Sequence, residues 1–222
     1  MSGKPDPGPL PTVPYDRDDP LLAVAVSTGR PRFSVYRWDG VAVVIGRGGH
    51  QDRELNTEAI ARDGVPLLKR PGGGCSVVLD PGNLIVSLAL PLPGIGGITR
   101  AFRNISDWLS AGLDACGIPD VHQEGVSDLV RDGRKVGGSC VRRTRGLLYY
   151  STTLLVTPEL ELVERYLLHP PREPEYRAGR PHRDFLGTLH PRPWPGSVAD
   201  LQAALEPRLK SIQDQSLADF GD

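Results

Sequence analysis

Two short runs hold the residue types that chemistry on an anionic substrate needs. The first is Lys69-Arg70-Pro71-Gly72-Gly73-Gly74-Cys75-Ser76-Val77-Val78, and the second, about sixty residues on, is Asp132-Gly133-Arg134-Lys135-Val136-Gly137-Gly138-Ser139. Three consecutive glycines after a cation let the backbone N–H groups of Gly73 to Val78 lie against an anion with no side chain in between. The second run adds one lysine in an equally open setting. Together they predict a site that holds a phosphate ester and a carboxylate side by side. No Gly-x-x-x-x-Gly-Lys-Ser/Thr run exists, so nucleotide phosphates would have to be held by this different loop. Gly94-Ile95-Gly96-Gly97 has no βαβ frame around it and reads as a linker, and His50 and His122 are isolated histidines with structural roles.

The elements that must position these runs follow from periodicity and turn chemistry. Phe33–Trp38 and Val41–Ile45 read as a hairpin turned at Asp39-Gly40. A helix over 52–63 ends at Gly64, Val65–Lys69 is extended, and strands follow at Ser76–Leu79 and Leu84–Leu90. Ile98, Phe102, Ile105, Leu109, Leu113 and Cys116 form one apolar helical face that stops at Gly117-Ile118-Pro119. Strands at Leu129–Arg131, Lys135–Val141 and Leu147–Thr157 turn at Asp132-Gly133 and Arg145-Gly146. Thr157-Pro158 opens a helix through Leu168, and Ser197 caps a last helix strained by Pro207. Strands grouped with separated helices predict an α+β fold, a mixed or antiparallel sheet flanked by helices. Six prolines in residues 1–20 predict a flexible lead-in, with one domain over 21–222: a core at 21–157 and a helical extension at 158–222.

Bulk properties narrow the function classes. A chain of 222 residues suits one large domain, and a formal net charge of -1 argues against nucleic-acid binding. No apolar run is long enough to span a bilayer and the start is polar, so a cytoplasmic protein without a membrane partner is expected. Cys75, Cys116 and Cys140 are odd in number and lack metal-type spacing, so reduced thiols are expected.

The first run resembles the Arg-Arg-x-x-Gly-Gly-Gly-Ala-Val segment of lipoate–protein ligases, and Asp128 to Ser139 resembles the segment that holds their essential lysine. Val44-Ile45-Gly46-Arg47 with Gln51, Gly82-Asn83 and Thr152-Thr153-Leu154-Leu155 fall in the family's order, so the likeness covers roughly residues 21 to 157. It implies the biotin/lipoate ligase catalytic fold and a two-step reaction. Lipoate or octanoate, ATP and Mg²⁺ give an acyl-adenylate, whose acyl group passes to a lysine of a lipoyl carrier domain. Lys135 is then the catalytic cation on the reacting phosphate. Arg70, Gly73, Gly74, Cys75, Ser76, Val77, Val78, Asn83 and Asp128 hold the nucleotide, with Asp128 also the candidate metal ligand. Lys135, Arg70, Gly138 and Ser139 hold the acyl substrate. The family's larger members carry a C-terminal domain, which is either dispensable here or supplied by an accessory subunit.

Three rival readings come with the resemblance. Octanoyltransferases of the same fold use a cysteine thioester, for which Cys75 and Cys140 are the alternative nucleophiles. N–H groups and Arg70 would lower the Cys75 pKa, whereas the plain reading makes it a small buried hydrophobe. A biotin–protein ligase and a non-catalytic acyl- or adenylate-binding module are the others. The arginine-rich stretch 173–186 reads equally as a solvated loop pinned by Tyr176 and Phe185 or as a flap in which Arg177 meets a carrier domain.

Overall fold

Alternation along the central strands separates a packed face from a cavity face, and the layers of the domain follow from it. A computed structural model describes residues 8–92, 97–144, 146–189 and 196–216. Its larger sheet has six antiparallel strands in the order β2 (Arg32–Arg37), β6 (Asn83–Pro91), β10 (Leu147–Leu155), β9 (Arg134–Thr144), β8 (Asp128–Arg131) and β7 (His122–Glu124). On β10, Leu148, Tyr150 and Leu154 are fully buried on one side, against helices α4 (Ile98–Ala115) and α7 (Val198–Ser216). Tyr149, Ser151 and Thr153 alternate with them and face a cavity instead.

The opposite wall of that cavity is a mixed sheet of four strands, β1 (Val13–Pro14), β4 (Leu67–Lys69), β3 (Ala42–Ile45) and β5 (Val77–Leu79). Here too the period of two sorts the side chains. Val43 and Ile45 pack outward with Leu55, Ile60, Val163 and Tyr166, while Ala42 and Val44 turn inward with Leu68 and Leu79. The outward cluster is covered by α3 (Thr57–Asp63) and α5 (Leu160–Tyr166). Each leucine or isoleucine buried this way contributes about 1.5–3 kcal/mol.

Several sequence expectations need correction. Phe33–Trp38 and Val41–Ile45 form strands but not a hairpin, since β2 and β3 belong to different sheets with Gly40 at φ 85° between them. The helix expected over 52–63 is two pieces, α2 (Gln51–Glu54) and α3, because Leu55 is extended and Asn56 starts a new helix by accepting from the Ala59 N–H. Thr157-Pro158 is not a cap: the Thr157 N–H goes to Gly82, and Asp80 takes the Glu159 N–H at 3.0 Å. Ser197 does cap α7, in a reciprocal pair with Asp200, and α7 runs on through Pro207, which sits on its exposed side.

The packed chain also starts earlier than residue 21. Gln51 pairs with the Leu10 backbone in both directions, Tyr15 stacks on Trp38, Asp18 is buried, and α1 (Asp19–Thr28) lies over β6. Prolines discourage helix and central strand, yet Val13–Pro14 fits as a two-residue edge strand that needs few donors. Gly94–Gly96 lies outside the described residues.

Candidate active site

A one-residue irregularity in the sheet aims the lysine. Val130 pairs with Lys135 and Leu129 with Gly137, so Val136 is an extra residue on β9. Consecutive residues Val136 and Gly137 therefore both face the core. Val136 is 1% exposed, and a Cβ on Gly137 would meet Leu129 and Leu154 at 3.2–3.3 Å. Lys135 and Gly138 then share the cavity face. A Cβ on Gly138 would lie 2.9 Å from Lys135 Cε, so the glycine is the space in which the lysine side chain lies down. Before the bulge, Asp132 (φ 52°) and Gly133 (φ 68°) make the expected tight turn. Lys135 Nζ ends 2.8 Å from Asp128 Oδ1, and the Tyr176 hydroxyl donates to Asp128 Oδ2 at 2.8 Å.

The glycine run is held open by two buried charges. Arg70, 8% exposed, donates from Nε and Nη2 to the Gly73 carbonyl (3.1 and 2.9 Å) and from Nη2 to the Cys75 carbonyl (2.7 Å). These bonds occupy the guanidinium, so Arg70 shapes the loop and is not a fork for substrate oxygens. Glu54 accepts from the N–H and hydroxyl of Ser76 (2.8 and 2.7 Å) and from the His50 N–H. Ser76 is thereby removed from the anion cradle. Gly73 donates to Val141 O, and Val77 pairs with Val44 in the β3–β5 ladder, whereas Val43 opposite Val78 gives its N–H to Pro66, so the Val78 N–H points away from β3. The N–H groups of Gly74, Cys75 and Val78 remain, with no acceptor among the described residues. Gly74 has φ 91°, and Gly46 packs so closely that a Cβ there would stand 2.3 Å from the Gly74 carbonyl.

Lys135 and this loop line one cavity of about 550 Å³. A smaller one of about 120 Å³, walled by Val78, Leu155, Val163, Leu167 and Phe185, shares Cys75, Ser76, Val77, Lys135, Gly138 and Thr153 with it. Lys135 thus stands where the two compartments meet. Gly73, Gly74, Ser139, Cys140 and Asp128 line the larger one. Asn83 lines neither: it is fully buried in the Asp80 turn, its Oδ1 accepting from the Asp80 N–H and its Nδ2 without an acceptor among the described residues. Asp128 does not fit a metal-ligand role, because Lys135 and Tyr176 occupy its two oxygens and no group of three His, Cys, Asp or Glu side chains converges among the described residues.

Neither cysteine has a lowered pKa. Burial of the Cys75 sulfur, which lies 3.7 Å from the Arg172 carbonyl, and then the Glu54 carboxylate raise it above the ordinary thiol value, outweighing Lys135 and Arg70. The residue is exposed at the cavity mouth and is no core hydrophobe either. Cys140, with its sulfur against Gly72, is also raised, chiefly by burial.

Residues 16–205 match the family model of the lipoyl protein ligase A/B catalytic domain. The chain belongs to that family. Octanoyltransferase LipM of Kyrpidia tusciae is 27% identical over 180 residues, covering 68% of this chain and 65% of the relative. Lipoate–protein ligase of Streptococcus pyogenes serotype M5 is 26% identical over 148 residues, covering 66% of this chain and 42% of the relative. The matched region is therefore less than two thirds of either relative's length. Among solved structures, lipoate-protein ligase A bound with ATP superposes with a TM-score of 0.72 at 19% identity, over 92% of this chain and 84% of the other. A bipartite lipoate protein ligase from Thermoplasma acidophilum gives 0.71 at 19%, over 91% and 82%. This likeness is one of fold, and it agrees with the α+β architecture described above.

In this lipoyl ligase A/B domain, the stretch at 173–186, which contains α6 (His182–Phe185), is a packed wall of the site. Phe185, 2% exposed, lies under the Arg177 and Arg180 guanidinium groups at 4.7 and 5.4 Å and beside Tyr176 at 5.2 Å. The Gly187 N–H donates to the Lys135 carbonyl. Arg177 is 3% exposed and paired with Glu173, so it is no docking cation. Burial and then the Asp128 charge push the Tyr176 hydroxyl pKa up, which keeps it a donor. The roles of Glu54 and Tyr176 are absent from the motif reading, because both act across long sequence separations. The only local signal was the aromatic spacing of Tyr176 and Phe185. No helix among the described residues is long and apolar enough to cross a membrane.

Proposed function

We propose that this chain activates lipoate or octanoate with ATP and passes the acyl group to a lysine of a lipoyl carrier domain. One observation carries the reading: the Lys135 ammonium stands at the junction of a long cavity and a short one, on whose walls the Gly74 and Cys75 N–H groups have no acceptor among the described residues. A carboxylate from the long side and an α-phosphate from the short side would meet there. The carboxylate oxygen bonds to phosphorus as the bond to pyrophosphate breaks, and Lys135 with the two N–H groups offsets the charge that builds on the phosphoryl oxygens. In the second step the carrier amine attacks the acyl carbonyl, AMP leaves, and the amine proton passes to solvent. Mg²⁺ would ride on the triphosphate, held by its oxygens, since Asp128 is already engaged.

The raised thiol pKa values count against a cysteine route. A thiol raised above its ordinary value is protonated at neutral pH, so alkylation of Cys75 should be slow there and accelerate only as pH rises past the usual thiol range. Mass spectrometry of a carrier domain incubated with ATP and lipoate tests the function. Cys75→Ala and Cys140→Ala should each keep ATP-dependent modification within a few fold, whereas loss of modification in either, with transfer independent of ATP, would replace the ligase by a transferase. Gly138→Ala, by pushing the lysine tip aside, should slow acyl-adenylate formation about tenfold while chemical denaturation changes little.

A further inference from the structure

The far end of the larger cavity is polar in a one-sided way. Register fixes its direction: on β10, Thr153 lies opposite Gly138, Ser151 opposite Cys140, and Tyr149 opposite Arg142. Lys135 lies over Gly138, so the cavity floor runs from the lysine at Thr153 to Tyr149, four residues on, a distance of about 13 Å. An extended eight-carbon acid reaching away from Lys135 brings its tail to Ser151, Tyr149 and Tyr15, all of which line the cavity.

Behind those three residues sits Asp18, a carboxylate 5% exposed. It accepts from the hydroxyls of Tyr149 (2.5 Å), Ser87 (2.9 Å) and Tyr36 (3.1 Å). A hydroxyl has one hydrogen, and the chain of bonds therefore has a forced direction. Tyr36 spends its hydrogen on Asp18, so Tyr15, 2.7 Å from Tyr36, must donate inward, whereas the Ser87 hydroxyl donates toward Ser151 (2.9 Å) as well as Asp18 and leaves the Ser151 hydrogen unspent. The hydrogens of Tyr15, Tyr36 and Tyr149 all point toward the carboxylate. Tyr15 and Tyr149 keep only lone pairs for a ligand, and buried acceptors without a donor are costly.

From this arrangement we infer that Tyr15 and Tyr149 select the acyl tail, and that the preferred acid is a medium-chain one bearing a hydrogen-bond donor at its far end. The inference rests on the reading of this cavity as the acyl site. An alkyl terminus offers nothing to these oxygens, and the ring sulfurs of oxidised lipoate only accept. Within the lipoate class, the reduced dithiol, with two weak S–H donors, is the better fit.

The test is calorimetric titration of the full chain with octanoate and 8-hydroxyoctanoate, paired with assay of acyl-AMP formation from each. The hydroxy acid should bind about tenfold more tightly. Tyr15→Phe and Tyr149→Phe, each checked for folding by circular dichroism, should bring the ratio of the two affinities toward one. Octanoate binding as well as or better than the hydroxy acid, failure of either acid to bind, or a ratio unmoved in both folded variants would overturn the assignment. If binding follows the expected order but no acyl-AMP forms, the tail selection stands and the ATP-dependent reading fails.

Discussion

Replacing Lys135 by alanine is expected to lower acyl-adenylate formation by about 10²–10³, the effect of losing one fixed charge-stabilising donor at a reacting centre. The ammonium is oriented by Asp128 at 2.8 Å, and Arg70, which lines the same cavity, is committed to the Gly73 and Cys75 carbonyls. Stability should change little, because the side chain is partly exposed and its partner Asp128 keeps the Tyr176 hydroxyl. Quantifying acyl-AMP by chromatography, alongside a denaturation curve, separates the two effects. A variant that forms the adenylate at the original rate would remove Lys135 from the chemistry.

Arg70→Met should damage both fold and activity. Its guanidinium makes three hydrogen bonds of 2.7–3.1 Å to the carbonyls of Gly73 and Cys75, and a methionine of similar length leaves those carbonyls without donors in a tight loop. Charge-assisted bonds of this kind are worth about 1.5–3 kcal/mol each, so a loss of about 3–5 kcal/mol is expected after relaxation. The loop that carries the Gly74 and Cys75 N–H groups should lose its fixed shape as well, so adenylate formation should fall even under conditions where the variant is folded. Arg70→Lys should recover only part of either property, since one ammonium cannot repeat the fork. Unchanged stability with lost activity would instead restore Arg70 as a substrate ligand.

The site was most legible where its logic is local. Three glycines after a cation, and a lysine followed by two glycines, expose the backbone or make room for a side chain whatever the rest of the chain does. Ile105, Leu109 and Leu113 announced α4 for the same reason, since a 3.6-residue period is a property of one segment. What stayed hidden depends on distant pairings. Whether Phe33–Trp38 and Val41–Ile45 join as a hairpin or part into two sheets is decided by β6 and β4, far along the chain. Asp18 looked like one more aspartate in a Pro-rich lead-in, and only the arrival of Ser87 and Tyr149 makes it a buried hub. Burial raises the Asp18 carboxyl pKa while those hydroxyls pull it back, a balance no sequence window contains. Likewise, nothing in the spacing around Cys75 told that Glu54 would sit near enough to oppose Arg70 and Lys135 in setting its titration.

The most direct test of acid activation in the Lys135 cavity is lipoate- or octanoate-dependent exchange of labelled pyrophosphate into ATP by the purified chain. Exchange that requires the acid and disappears in Lys135→Ala is the predicted result. Absence of exchange, accompanied by ATP-independent movement of an octanoyl group from one carrier protein to another, would contradict it.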